Sequence, residues 1–194
     1  MVIGVAGGYC VGKDTVVRLL ERAGYPSIDV DAVGHRVLAE LAPTVRQAFG
    51  PAVAGAGGTI DRGALGRHVF RDPAELARLE AILHPRMREI VAAEVDGLGR
   101  RCVINAAVLY KMALHELCDV VLCVHAPLRA RLRRAWTRDG RGALPTLRRV
   151  WSQRGICLKP MGSRVDTHTV RNAGSMADLE RAVGALLDRL PAEP

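Results

Sequence analysis

The chain is poor in aromatic residues, which make up only 4% of its 194 positions, and poor in lysine, which supplies three of its 28 lysine and arginine residues. A nucleic-acid surface built on stacked bases interleaves aromatics with basic charge, so this scarcity argues against nucleic acid as a partner. No apolar run approaches the roughly 20 residues that a bilayer-spanning helix needs. Nor does the start resemble a leader peptide, because Met1 runs straight into a strand-like segment. The expectation is a cytoplasmic protein, monomeric or weakly homo-oligomeric, with no membrane partner. The five cysteines (Cys10, Cys102, Cys118, Cys123 and Cys157) are odd in number and contain no C-x-x-C pair. That usage predicts reduced thiols rather than a zinc site or a disulfide frame. Acid is nearly absent from one stretch: between Leu128 and Arg164, Asp139 stands alone against ten arginines and Lys159. The net charge of +8 is therefore concentrated in one place instead of coating the surface. A hydrophobic fraction of 49% argues against disorder, and the length suits one α/β domain with an inserted subdomain or two.

What is present begins at the amino terminus. The apolar run Val2–Ala6 leads into Gly7, Gly8, Tyr9, Cys10, Val11, Gly12, Lys13, Asp14 and Thr15, which fits G-x-x-x-x-G-K-[ST] except at its last position. Glycines in such a loop let successive backbone N–H groups curl around a β-phosphate while the lysine reaches the β- and γ-oxygens. A helix expected over Lys13–Ala23, with Val16, Val17, Leu19 and Leu20 on one face and Gly24 as its stop, adds its positive end. The chain is thus read as holding a nucleoside triphosphate. Asp14 occupies the place of the usual hydroxyl that meets Mg²⁺. A carboxylate is itself a good Mg²⁺ ligand, and the other reading, an acid favoured by the helix dipole, is compatible with that role. Cys10 is either a thiol with a lowered pKa beside Lys13 or simply a small residue tolerated in the loop.

Further along, Ser27–Asp31 reads as a strand ending in a carboxylate, followed by a helix over Ala32–Leu41. Asp31 then stands where open α/β sheets place ligand groups, with N-capping of that helix as the other reading. After the glycine-rich passage Gly50–Gly58, Asp61 opens a helix to about Val69. Asp72, Pro73 and Glu75 open another, expected to break at His84-Pro85 and be followed by a helix from Arg86 to about Leu98. The run Cys102–Ala106 reads as the central strand, Val120–Val124 as a second buried strand, Thr167–Val170 as a weaker one, and Met176–Leu190 as a closing helix. Strands alternating with helices imply parallel β-α-β units in a doubly wound sheet.

On the helix expected over Pro127–Arg138, Arg131, Arg134 and Arg138 recur at spacings of three and four and share a face. A glycine turn at Asp139–Gly142 and a second basic helix, about Thr146–Gln153 with Arg148 and Arg149, complete a segment able to close over a phosphate chain. A solvated basic face is the plainer reading, and Lys13 in its loop tips the balance toward phosphate.

These pieces together resemble the dephospho-coenzyme A kinases. The likeness rests on Ile3–Thr15; Ile28–Asp31 with His35; Gly58–Arg62 with Leu65-Gly66; Val69–Pro73; Leu79–Ile82; and His84-Pro85. It continues through Cys118-Asp119, Arg134, Arg138–Gly140, Arg149 with Gln153, and Asn172–Gly174. The resemblance implies a P-loop kinase fold: a doubly wound, parallel five-stranded sheet with a substrate subdomain at about 32–98 and a helical lid at about 128–158. It implies transfer of the γ-phosphoryl group of ATP, with Mg²⁺, to the ribose 3′-hydroxyl of dephospho-coenzyme A. By the same resemblance Asp31 would orient or deprotonate that hydroxyl, Lys13 would bridge the phosphates, and Arg134 and Arg138 would lie on the transferred group. His35, His84 and Arg149 would meet the substrate, and Asn172 and Gly174 would lie near the adenine. Two departures accompany Asp14. The family's third strand ends roughly in D-x-P-L-L-F-E, whereas this chain has Asn105 at the aspartate and Lys111 at the glutamate. A carboxylate moved from position 105 to position 14 would keep the charge near Mg²⁺ constant. A P-loop kinase for another nucleotide or nucleoside, and a non-catalytic nucleotide sensor, are the competing readings.

Overall fold

A computed structural model describes residues 1–139, 156–157 and 160–190. Five strands, β1 (Val2–Gly7), β2 (Ser27–Asp29), β3 (Cys102–Asn105), β4 (Val120–His125) and β5 (Asp166–Arg171), form one parallel sheet in the order β2-β3-β1-β4-β5. The central strand is β1 rather than Cys102–Ala106, and every residue of β1 is buried. Short apolar runs look alike by periodicity, and which one lies innermost is decided by the crossovers. In register, Val2 faces Cys102 on one side and Ile3 faces Val120 on the other.

Helix α1 (Lys13–Arg22) buries Val16, Val17 and Leu20, and the last helix, α7 (Met176–Leu187), buries Leu179 and Val183. They share a core with Ile3, Val5, Leu122, Val124 and Val170. A capping box starts α7: Ser175 Oγ accepts from the Asp178 amide, and the Asp178 carboxylate accepts from the Ser175 amide at 2.9 Å.

The chain divides into two compact units, Met1–Ile28 with Val95–Pro194, and Asp29–Glu94. The second contains α2 (Val30–Glu40), α3 (Ala42–Phe49), α4 (Arg62–Val69) and most of α5 (Pro73–Gly97), around a core of Val45, Phe49, Val53, Leu65 and Val69. Asp61 caps α4 by accepting from the Ala64 amide at 3.0 Å, which holds its carboxyl below the usual range. Arg86 reaches Glu40 at 2.8 Å, and Arg36 pairs with Glu94.

Three further expectations are corrected. The chain turns helical at Val30, so Asp31 lies in the first turn of α2 instead of at a strand end, and Asp29 is the N-cap, accepting from the amides of Asp31 at 2.9 Å and Ala32 at 3.3 Å. Helix α5 does not break at His84-Pro85 but runs on for 25 residues with Pro85 inside it. An interior proline costs about 3 kcal/mol. Burial of Met87, Val91 and Val95 beyond it, at about 1.5–3 kcal/mol for each side chain, offsets that cost. Finally, Cys123 of β4 is joined to Cys157 in a disulfide, with Cα atoms 5.9 Å apart, leaving Cys10, Cys102 and Cys118 as thiols. Two cysteines 34 residues apart carry no local signal of pairing. Burial pushes the Cys118 thiol up to about 12 and also raises that of Cys102. The helix expected at about Thr146–Gln153, with Arg148 and Arg149, lies outside the described residues. No described helix is long and apolar enough to cross a membrane.

Candidate active site

Parallel strands deliver their carboxyl ends to one edge of the sheet, where α/β folds bind ligands. Here that edge gathers Gly7 of β1, Asn105 of β3, His125 of β4 and Asn172 just after β5, through the registers Val5 to Asn105, Gly7 to Val124 and His125 to Arg171. The loop from Gly8 to Gly12 turns back over it. Gly12, the N-cap of α1, sits at φ +89°, in the left-handed region that favours glycine. A Cβ there would also stand 2.1 Å from Asn172 Nδ2, so any larger residue must displace that amide. Cys10 takes the left-handed conformation too, at φ 57°, without being glycine. Gly12 O accepts from the amides of Thr15 and Val16 at 3.1 and 3.3 Å, closing the first turn of α1.

Lys13, at the head of α1, donates to Asn105 Oδ1 and stands 3.9 Å from Asp14. Its side chain is 15% exposed whereas that of Asp14 is 65% exposed. A neutral acceptor thus holds the lysine inward, and the acid beside it opens to solvent. Mg²⁺ typically takes one or two protein carboxylates and completes its octahedron with phosphate oxygens and water. Asp14, in the first turn after the loop, fits that requirement. Among the described residues no cluster of three or more histidine, cysteine, aspartate or glutamate side chains stands ready for a metal.

Behind the loop stands α6 (Leu128–Asp139). Arg131 Nε donates to Tyr9 O at 2.7 Å, and Arg134 Nη1 donates to Cys10 O at 3.4 Å and Val11 O at 3.0 Å. Arg134 Nη2 donates to Asn172 O at 3.3 Å and Oδ1 at 2.9 Å, and Asn172 Nδ2 donates to Val11 O at 2.9 Å. In this structure, therefore, Arg134 and Asn172, expected on the transferred group and near the adenine, direct their side chains to the loop backbone. Gly174 precedes the cap of α7, its missing Cβ leaving room for the Asp178 carboxylate. Arg138 follows Arg134 by one turn on α6. The Arg131 contact was not foreseen. Its recurrence with Arg134 was visible, but a shared face does not say whether guanidiniums meet a ligand or carbonyls.

In the other unit, Asp31 is exposed in the first turn of α2 and freed of capping by Asp29. His35 follows it by four residues, hence on the same face. It lines a cavity of about 500 Å³ with Leu38, Ala39, Pro43, Ile60 and Arg62. His84 is half-buried in the middle of α5, and Arg149 lies outside the described residues.

The arrangement is a preformed anion cradle with a lysine, an exposed acid and a basic helix. Comparison with known proteins agrees. The sequence model of the dephospho-CoA kinase family matches residues 1–176. A dephospho-CoA kinase from Thermus thermophilus is 35% identical over 191 residues, covering 98% of this chain and 92% of the relative. One from Moorella thermoacetica is 38% identical over 146 residues, covering 71% of this chain and 69% of the relative. A crystal structure from Thermus thermophilus superposes with a TM-score of 0.81 at 34% identity, covering 99% of this chain and 98% of that one. The dephospho-CoA kinase from Campylobacter jejuni, at 23% identity and a TM-score of 0.70 over 97% and 96% of the two chains, shows the shared fold. This chain belongs to the dephospho-CoA kinase family.

Proposed function

We propose that these residues carry the family reaction, transfer of the γ-phosphoryl group of ATP to the ribose 3′-hydroxyl of dephospho-CoA, in a defined division of labour. The 3′-oxygen forms a bond to the γ-phosphorus while the bond from that phosphorus to the bridging oxygen breaks, and ADP leaves with the electron pair. Asp31 takes the hydroxyl proton and orients the oxygen. Lys13 places its charge between the β- and γ-phosphates, and Arg138 meets the charge that spreads over the transferring group. Asp14 would hold Mg²⁺, which supplies neutralising charge across the phosphate oxygens when bound. His35, His84 and Arg149 serve the acceptor, in a substrate subdomain at about 32–98 and a lid at about 128–158. The nucleotide stays near Asn172 and Gly174. We place the enzyme in the cytoplasm, as a monomer or weak homo-oligomer without a nucleic-acid partner.

The observation that supports this reading most is the loop itself, with Gly12 in the left-handed region and Lys13 drawn to the sheet edge by Asn105. Acceptor-dependent ADP release tests it. Dephospho-CoA should elicit turnover with Mg²⁺ and ATP, and simple nucleoside monophosphates should not. Turnover with nucleoside monophosphates instead would assign a different kinase, and ATP binding without any turnover would assign a sensor.

A further inference from the structure

In each peptide unit the carbonyl and the following N–H point in opposite directions. A loop that must turn its amides inward toward an anion must therefore turn its carbonyls outward, where each needs a donor. In this chain three consecutive carbonyls have such donors: Tyr9 from Arg131, Cys10 from Arg134, and Val11 from both Arg134 and Asn172. We propose that Arg131, together with Arg134 and Asn172, forms an outer clamp on the phosphate loop, a set of positioning residues that aim the amides of Cys10 and Gly12 at the polyphosphate, the Val11 amide being held by Gly8 O at 3.4 Å. The proposal rests on the nucleotide reading of the loop. It adds a role for Arg131, which lies outside the loop pattern, and a role for Asn172 through the backbone.

The partners are specific. Asn172 is buried and its amide is oriented at both ends, because Oδ1 accepts from Arg134 while Nδ2 donates to Val11. Its own backbone amide is fixed to His125 O at 2.8 Å, so the clamp is anchored to the ends of β4 and β5. Arg131 Nη2 is buried and has no hydrogen-bond acceptor among the described residues. Desolvation accordingly holds the Arg131 pKa below its ordinary value. A half-buried guanidinium with a buried, unmet donor is unfavourable in the absence of ligand. Its positive charge lies directly behind the amides, and an arriving polyphosphate relieves that cost through the attraction between opposite charges in a partly desolvated site. The clamp thus shapes the cradle and raises its potential for anions.

The test separates phosphate recognition from general stability. Arg131→Met keeps the apolar stem and removes the donors and the charge; Arg131→Lys restores charge and one donor; Asn172→Asp replaces the donor to Val11 by a second acceptor. Calorimetry measures each against Mg²⁺ with ATP, Mg²⁺ with inorganic tripolyphosphate, and adenosine alone, and steady-state kinetics gives KM for dephospho-CoA. The Met variant should weaken ATP and tripolyphosphate binding about tenfold, the scale of a lost charge-assisted hydrogen bond. Adenosine affinity and KM for dephospho-CoA should stay within about twofold, and the Lys variant should recover part of the loss. Asn172→Asp should also weaken tripolyphosphate binding about tenfold, and it decides the matter if the Met variant does not fold; adenosine is not compared for this variant, because Asn172 lies beside the nucleotide in the proposed reading. Tripolyphosphate affinity unchanged in the folded variants, or weakened no more than adenosine affinity in an Arg131 variant, overturns the clamp. If the unaltered protein binds tripolyphosphate but releases no ADP with dephospho-CoA, the kinase reading falls while the clamp stands.

Discussion

The side chains of Lys13, Arg131, Arg134 and Asn172 are tied to backbone or to neighbouring side chains in the unit that carries the phosphate loop, whereas the side chains of Asp31 and His35 in the Asp29–Glu94 unit stand exposed with no hydrogen-bond partner among the described residues. On the proposed division of labour, the contrast follows from what each side would bind. A polyphosphate is recognised by backbone amides, which cannot rearrange one at a time, so its site is built in advance and braced from outside. A proton acceptor for a sugar hydroxyl needs only a carboxylate of suitable basicity, and a substrate can order it on arrival.

The sharpest way to break this contrast is Asp31→Asn. It should lower kcat by about 10²–10⁴-fold, the range for a general base, while calorimetry finds ATP affinity unchanged. A loss of ATP affinity would mean that the exposed carboxylate is part of the nucleotide site after all. Gly12→Ala attacks the braced side. The left-handed backbone alone costs about 1–2 kcal/mol with a Cβ, and the collision with the Asn172 amide adds to it. ATP affinity should fall at least about tenfold, with KM for dephospho-CoA little altered. Asp14→Ser tests the exchanged carboxylate. Activity should fall about tenfold if Mg²⁺ loses a ligand, and adding Asn105→Asp should restore it by returning negative charge to the atom that now holds Lys13. Undiminished activity of the single variant would dismiss the exchange.

Reduction of the disulfide probes bracing of another kind. Closing a loop of this length contributes about 2–4 kcal/mol, so the reduced form should melt several degrees lower by scanning calorimetry. Denatured, unreduced protein should show three reactive thiols, where five would refute the pairing. Smallest is the alkaline limb. In the fold Cys118 keeps its proton up to about pH 12, whereas an ordinary thiol releases it near 9.0. The stability this confers is complete below pH 9.0 and is lost as the pH climbs toward 12. Chemical denaturation midpoints at pH 8 and 10 measure it, and Cys118→Ala should flatten the slope.

The loop and α1 were legible because glycine spacing, the lysine and the apolar face each point the same way. The parallel alternation was legible for the same reason. Asp31 was harder: two aspartates two residues apart both suit a helix start, and only the observed backbone shows Asp29 accepting the amides. Pro85 signalled a break that burial of Met87, Val91 and Val95 beyond it overrode. The outer contacts of Arg131 and Asn172 were out of reach, since their partners are carbonyls 122 and 161 residues away, which carry no side-chain signature.

The Cys123–Cys157 bridge has one further implication. It turns the intervening chain, including all of α6, into a covalent ring closed on a core strand. A protease that nicks the backbone once anywhere inside that ring would yield two fragments that migrate as one species on an electrophoresis gel until a reductant is added, and Arg131 and Arg134 would stay tethered to the strand next to β1 even after the cut.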